Sequence, residues 1–100
     1  MYGEKKFIER KYADTILQLA WKFKHENPDM KNTPAYSAMD RTLETMDKYV
    51  AYINNMGFMM YEISIFHMAE YIGQLTGKEC GFSSDELNEI RNYLLEILKQ

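Results

Sequence analysis

Residues 33–77, TPAYSAMDRTLETMDKYVAYINNMGFMMYEISIFHMAEYIGQLTG, decide the fold. Thr33-Pro34 reads as an N-cap followed by proline at the first helical position, where the missing N–H is no loss. A heptad seam follows: Tyr36, Met39, Leu43, Met46, Val50 and Ile53. Continuing that seam would place Gly57, Met60, Ser64 and His67 in the core, a poor set. The strong seam instead restarts as Phe58, Tyr61, Ile65, Met68, Ile72 and Leu75. A helix unbroken from Pro34 to Thr76 would also be about 65 Å long, against a radius of gyration near ~13 Å for a compact chain of this size. The expectation is therefore a turn at Asn54-Asn55-Met56-Gly57, with asparagine and glycine as the C-cap residues. The alternative is one kinked helix shared within an extended dimer.

The remaining segments pack onto these two. Residues 4–26 read as a helix with Ile8, Tyr12, Ala13, Ile16, Leu19, Ala20 and Phe23 on one face. Asn27 to Asn32 is dense in chain breakers and reads as a loop. Phe82-Ser83-Ser84-Asp85-Glu86-Leu87 carries a capping box, Ser83 with Glu86, and a hydrophobic staple, Phe82 with Leu87. The last helix then buries Leu87, Ile90, Leu94, Ile97 and Leu98. No sustained alternation of period two is visible. The expected fold is all-α: a small antiparallel four-helix bundle, with helices at about 4–26, 34–55, 58–76 and 84–99 in one domain of 100 residues.

Composition bounds the function. The chain carries 46% hydrophobic and 27% charged residues with a net charge of −3, which is globular and argues against a dedicated nucleic-acid binder. Residues 1–31 hold seven Lys/Arg against five Asp/Glu, and residues 32–100 hold five against ten. One cysteine, Cys80, excludes an intrachain disulfide and fits a reducing compartment. The charged start, Met1 to Lys6, does not read as a signal peptide. No uncharged run reaches the ~20 residues a membrane-spanning helix needs. The expected location is the cytoplasm.

Chemistry-bearing patterns are sparse. Glu62, His67 and Glu70 are the candidate metal ligands, but their order does not match the Glu-x-x-His pairs of di-iron bundles, so no metal or other cofactor is expected. Glu44 with Asp47, and Glu86 with Glu89, are acidic pairs of the kind that hold Mg²⁺ in all-α nucleotide pyrophosphohydrolases, although core residues lie between them. Cys80 has no base nearby in sequence, and no glycine-rich phosphate loop exists.

What stands out is surplus apolar surface. Trp21 falls outside the core face of the first helix, with Phe7 and His25 on the same side and Leu17 one turn earlier. Phe7, Leu17, Trp21 and His25 form the expected partner-binding face. The side of the third helix opposite its seam carries Met59, Met60, Ile63 and Phe66, then His67 and Glu70, the expected self-association face. Eight Met and eight Tyr fit adaptable contact surfaces or, equally, an ordinary helical core. The expected function is a non-enzymatic protein-binding module, an inhibitor or adaptor working by stoichiometric binding as a homodimer. Its size class resembles small proteins carried by phages and mobile elements. The alternatives are a helical nucleotide or nucleic-acid binder and the Mg²⁺-dependent hydrolase.

Overall fold

Two short strands run directly into helices, and their pairing sets the layout. The computed structural model describes residues 4–48 and 57–100. Strand β1 (Lys5–Ile8) leads into helix α1 (Arg10–Glu26) through Glu9, whose backbone is extended. A single 3-10 turn (Pro28–Met30) precedes α2 (Pro34–Lys48). Strand β2 (Phe58–Tyr61) then feeds α3 (Glu62–Leu75), and α4 (Ser84–Lys99) closes the fold.

Among the described residues the four-helix, mainly α reading holds, with a two-stranded sheet added. The sheet shortens two of the expected helices. Residues 4–9 are not the start of the first helix, and residues 58–61 are not the start of the third. The strand at Phe58 also replaces the single kinked helix considered for residues 34–76. The longest dimension of the molecule, 31 Å, has no room for one. The expected continuation of the second helix to residue 55, and the turn at Asn54 to Met56, lie outside the described residues.

β1 and β2 are antiparallel, with Lys5 opposite Tyr61, Lys6 opposite Met60, Phe7 opposite Met59 and Ile8 opposite Phe58. The period of two sends Ile8, Phe58 and Met60 inward, where all three are buried. Lys5, Phe7, Met59 and Tyr61 therefore share the outward face. The Glu62 N–H donates to the Glu4 carbonyl at 3.0 Å. This register makes Phe7–Met59 and Lys5–Tyr61 the non-hydrogen-bonded pairs, whose side chains stand closest.

Gly57 fixes the start of β2. Its φ is +102°, and a β-carbon there would sit 1.8 Å from the Ile8 carbonyl oxygen. Only glycine lets the two backbones come this close. Below the sheet, Lys6 reaches the Glu62 carboxylate at 3.2 Å and donates to the Gln100 carbonyl at 3.1 Å. The inner side of the ribbon is thereby tied to the end of α4.

α3 is the central helix, packed on α4, α2 and α1. It buries Ile65, Met68, Ala69, Tyr71, Ile72 and Leu75, so the seam read from Ile65 onward is the core seam. Phe23 of α1 meets the Tyr71 ring edge-on at 5.0 Å and the Tyr36 ring at 6.5 Å, joining three helices. α1 meets α4 through the stacked rings of Tyr12 and Tyr93, 4.2 Å apart. Caps behave as read: Thr33 Oγ1 accepts from the Tyr36 N–H, and Ser83 and Glu86 form both bonds of the capping box. Among the described residues, no helix is long and apolar enough to cross a membrane.

Two predictions follow from this packing. Gly57→Ala, followed by urea unfolding, is expected to lose at least about 2 kcal/mol, because strained φ and a backbone clash coincide. Gly81→Ala, also at positive φ but facing open space, is expected to lose about 1 kcal/mol; equal losses would show that the Gly57–Ile8 approach is unimportant. Burial first, then the Glu26 carboxylate that accepts its hydroxyl at 3.3 Å, push the Tyr71 phenol well above its ordinary pKa of 10.0. The folded state thus favours the neutral phenol. That stability is fully present below pH 10 and is lost as the pH rises beyond it. Tyr71→Phe is expected to flatten the alkaline limb of a stability-against-pH curve.

Candidate functional site

The outward face of the sheet does not stand free. α2 presents Arg41, Glu44, Thr45 and Lys48 toward it, spaced i, i+3, i+4 and i+7 and hence on one helical stripe. With Lys5, Met59 and Tyr61 they line a cleft of about 560 Å³. Tyr61 is the pivot of its floor. The Lys5 ammonium lies 5.4 Å from the centre of its ring, and the Arg41 guanidinium carbon 5.7 Å away. Both cations sit within reach of the ring quadrupole.

The α2 wall carries an exposed ion pair. Lys48 Nζ lies 2.9 Å from Glu44 Oε1, one helical turn apart. Hydrogen bonding from Lys48 holds the Glu44 carboxyl below the usual carboxylate range. Thr45 turns its hydroxyl back onto the Arg41 carbonyl at 2.8 Å. Three cations against one carboxylate give the lining a local charge of +2, on a chain whose net charge is −3.

The four large apolar side chains exposed among the described residues are Phe7 (39%), Trp21 (53%), Met59 (45%) and Phe66 (48%). All four belong to the faces expected to make contacts, but the structure groups them differently. Phe7 leaves the Trp21 face: it sits on β1 and pairs across the sheet with Met59. Leu17 and Met60 leave the contact faces altogether. Leu17 is 3% exposed because the buried arc of α1 runs from Leu19 to Leu17, about 160° at 100° per residue, with Trp21 just beyond its rim. Met60 is 2% exposed because a strand sends it to the side opposite Met59.

Trp21 keeps His25 beside it, with ring centres 5.8 Å apart. Lys24 lies over both the Trp21 and Tyr36 rings, at 5.4 and 5.5 Å, and is ion-paired with Asp40. This patch therefore bridges α1 and α2 with its charge neutralised. On α3, half-buried Ile63, exposed Phe66, half-buried His67 and exposed Glu70 form one stripe. Phe66 meets the His67 ring edge-on at 5.5 Å, and His67 Nδ1 lies 3.5 Å from Glu70 Oε1.

Four of the acidic residues weighed for metal chemistry have other partners. Glu62 pairs with Lys6, Glu44 with Lys48, Glu86 closes the capping box, and Glu89 accepts from the Tyr12 hydroxyl at 3.0 Å. Among the described residues, no three His, Cys, Asp or Glu side chains converge as a metal-binding set. Cys80 is a half-buried free thiol against the Phe82 carbonyl.

The cleft itself was not expected from the sequence. In sequence Arg41 and Lys48 are simply two cations on one flank of a helix; the wall opposite them is made by β2, where the sequence reads as helix. The spacing of Arg41 and Lys48, seven residues apart, was the available signal. No family model, curated protein or solved structure matches this chain.

The two faces of β2 are separable by mutation. Met60→Ala is expected to cost about 2–5 kcal/mol, as for other buried methionines. Met59→Ala should cost less than about 1 kcal/mol, the scale of one cross-strand pair. Chemical denaturation of both variants checks this, and similar losses would place Met59 in the core.

Proposed function

We propose that this chain is a non-enzymatic binding protein that acts stoichiometrically on another protein, as an inhibitor or adaptor in the cytoplasm. The observation that carries the reading is the exposure of Phe7, Trp21, Met59 and Phe66 where the other large apolar side chains among the described residues are buried or half-buried. Single exposed hydrophobics are ordinary on protein surfaces. Here two of the four are cross-strand neighbours, and a third is the lone tryptophan, braced by His25 and Lys24. Trp and other aromatic residues in such settings are the side chains that most often dominate binding energy. The α3 stripe of Ile63, Phe66, His67 and Glu70 is the face proposed for homodimer contact; its mixture of apolar and pairable polar groups suits a two-fold, self-complementary interface.

The test places a photo-crosslinking phenylalanine analogue at position 7, 21 or 66 of the full chain, produced in the organism that encodes it. Exposed Asn92 on α4 serves as the control position. Discrete one-to-one protein adducts from at least one of the three positions, absent from position 92, are expected. Adducts of equal yield at all four positions, or none, would refute the reading. For the dimer, light scattering on the purified chain should give twice the monomer mass, reduced to the monomer by Phe66→Glu; a monomeric wild type removes that part.

A further inference from the structure

We infer that the cleft between α2 and the outward face of the sheet takes an acidic segment of a partner polypeptide, with carboxylates set beside an apolar side chain. This inference rests on the protein-binding reading above and names the chemistry of the partner. Three observations select that occupant. The first is sign. Lys5, Arg41 and Lys48 outnumber Glu44 in the lining, while the chain as a whole is acidic. Residues 49–56, YVAYINNM, carry no charged side chain, so they leave the sign of the cleft unchanged. A local inversion of charge on an acidic protein steers and orients an anionic partner.

The second observation is the floor. Met59 and the Tyr61 ring are apolar, with Phe7 next to Met59, so an anion alone would leave that surface uncovered. A segment with apolar residues between its carboxylates covers both. The third is extent. The cleft, about 560 Å³, falls within the range of about 300–1,000 Å³ that holds small ligands or a few side chains. A nucleic acid would have to leave it along a surface that is net negative, against its own phosphates. Such polyanions are bound by basic grooves that follow the backbone. A short acidic segment requires complementarity only within the cleft.

The experiment selects peptides from a random twelve-residue display library on the full-length wild-type protein. Binding of the enriched peptides is then measured with the protein labelled at its methionine methyl groups. The expected result is enrichment of Asp and Glu beside Leu, Phe or Trp, with saturable shifts of the Met59 methyl. Affinity should fall about tenfold or more in the Lys5→Glu/Arg41→Glu double variant. It should change less than about twofold in Lys31→Glu/Lys99→Glu, which alters the net charge equally at exposed positions elsewhere. The milder Lys5→Gln/Arg41→Gln pair, with thermal unfolding of every variant, separates lost binding from lost folding.

Failure to enrich any peptide, enrichment without acidic residues, an unmoved Met59 methyl, or equal losses in both charge-reversed variants overturns the inference. So does displacement of the peptide by twelve-residue oligothymidylate or ATP, which would make the cleft a nucleotide or nucleic-acid site. Protein adducts from positions 21 or 66 without peptide binding would leave the protein-binding reading standing and remove the cleft from it.

Discussion

The contact on which the structure depends is the approach of Gly57 to the Ile8 carbonyl. A two-stranded ribbon is marginal in water on its own. Here it persists because its inner face is core: Ile8 and Phe58 are fully buried, and Met60 nearly so. Bringing those side chains together requires the backbones of β1 and β2 to close at a point where a β-carbon has no space. Once closed, the start of the chain is docked against the start of α3. Lys5 then stands across from Tyr61 and near Arg41, residues 56 and 36 positions further along. The cleft is thus a consequence of packing, assembled from three segments that have no local reason to meet.

The tyrosine content has a partly internal explanation. Tyr12, Tyr71 and Tyr93 lie where helices meet, Tyr71 buried and the other two half-buried, each with an anchored hydroxyl. Tyr71 donates to Glu26, Tyr12 donates to Glu89, and Tyr93 accepts from the Glu9 N–H at 2.8 Å. Tyrosine suits such seams because the ring fills core volume while its polar tip reaches the rim. Much of the methionine is likewise internal, as Met39, Met60 and Met68 are buried. Composition alone left two readings open, adaptable surfaces and an ordinary helical core, and a bundle with irregular seams draws on these residues for the second.

What the sequence made legible is local. Thr33, the Ser83–Glu86 box and the seam from Ile65 to Leu75 are written in adjacent residues at fixed spacings, and the structure carries each. The strands were illegible for a physical reason. Lys5–Ile8 and Phe58–Tyr61 are four residues long, and over that length an alternating pattern and part of a helical stripe are hard to tell apart. Phe58 and Tyr61 are spaced as helical neighbours and lead without interruption into a true helix, so the helical reading absorbed them. Treating residue 7 as helical put Phe7 beside Trp21 and hid its pairing with Met59. Treating residues 59 and 60 as helical put both on one face, when the strand sends them to opposite sides. Trp21 itself needed only the period of α1, and its exposure could be read from that.

The two surfaces that remain differ in how they would act on a partner. Around Trp21, charge is internally balanced, since Lys24 is paired with Asp40 while lying over two aromatic rings. Contact there would be governed by apolar burial, which ionic screening does not weaken and which shows mainly in the dissociation rate. Around Tyr61 the balance is unequal, with an excess of cations held over an aromatic floor. Fields of that kind act before contact, raise the association rate and weaken with ionic strength. A partner engaging both surfaces would be drawn in by the cleft and retained by the indole. A partner engaging only the cleft would bind in a strongly salt-dependent way. The charge arrangement around Lys24 and Asp40 on one side, and around Lys5, Arg41, Glu44 and Lys48 on the other, is therefore what would separate capture from retention for a partner of the proposed kind.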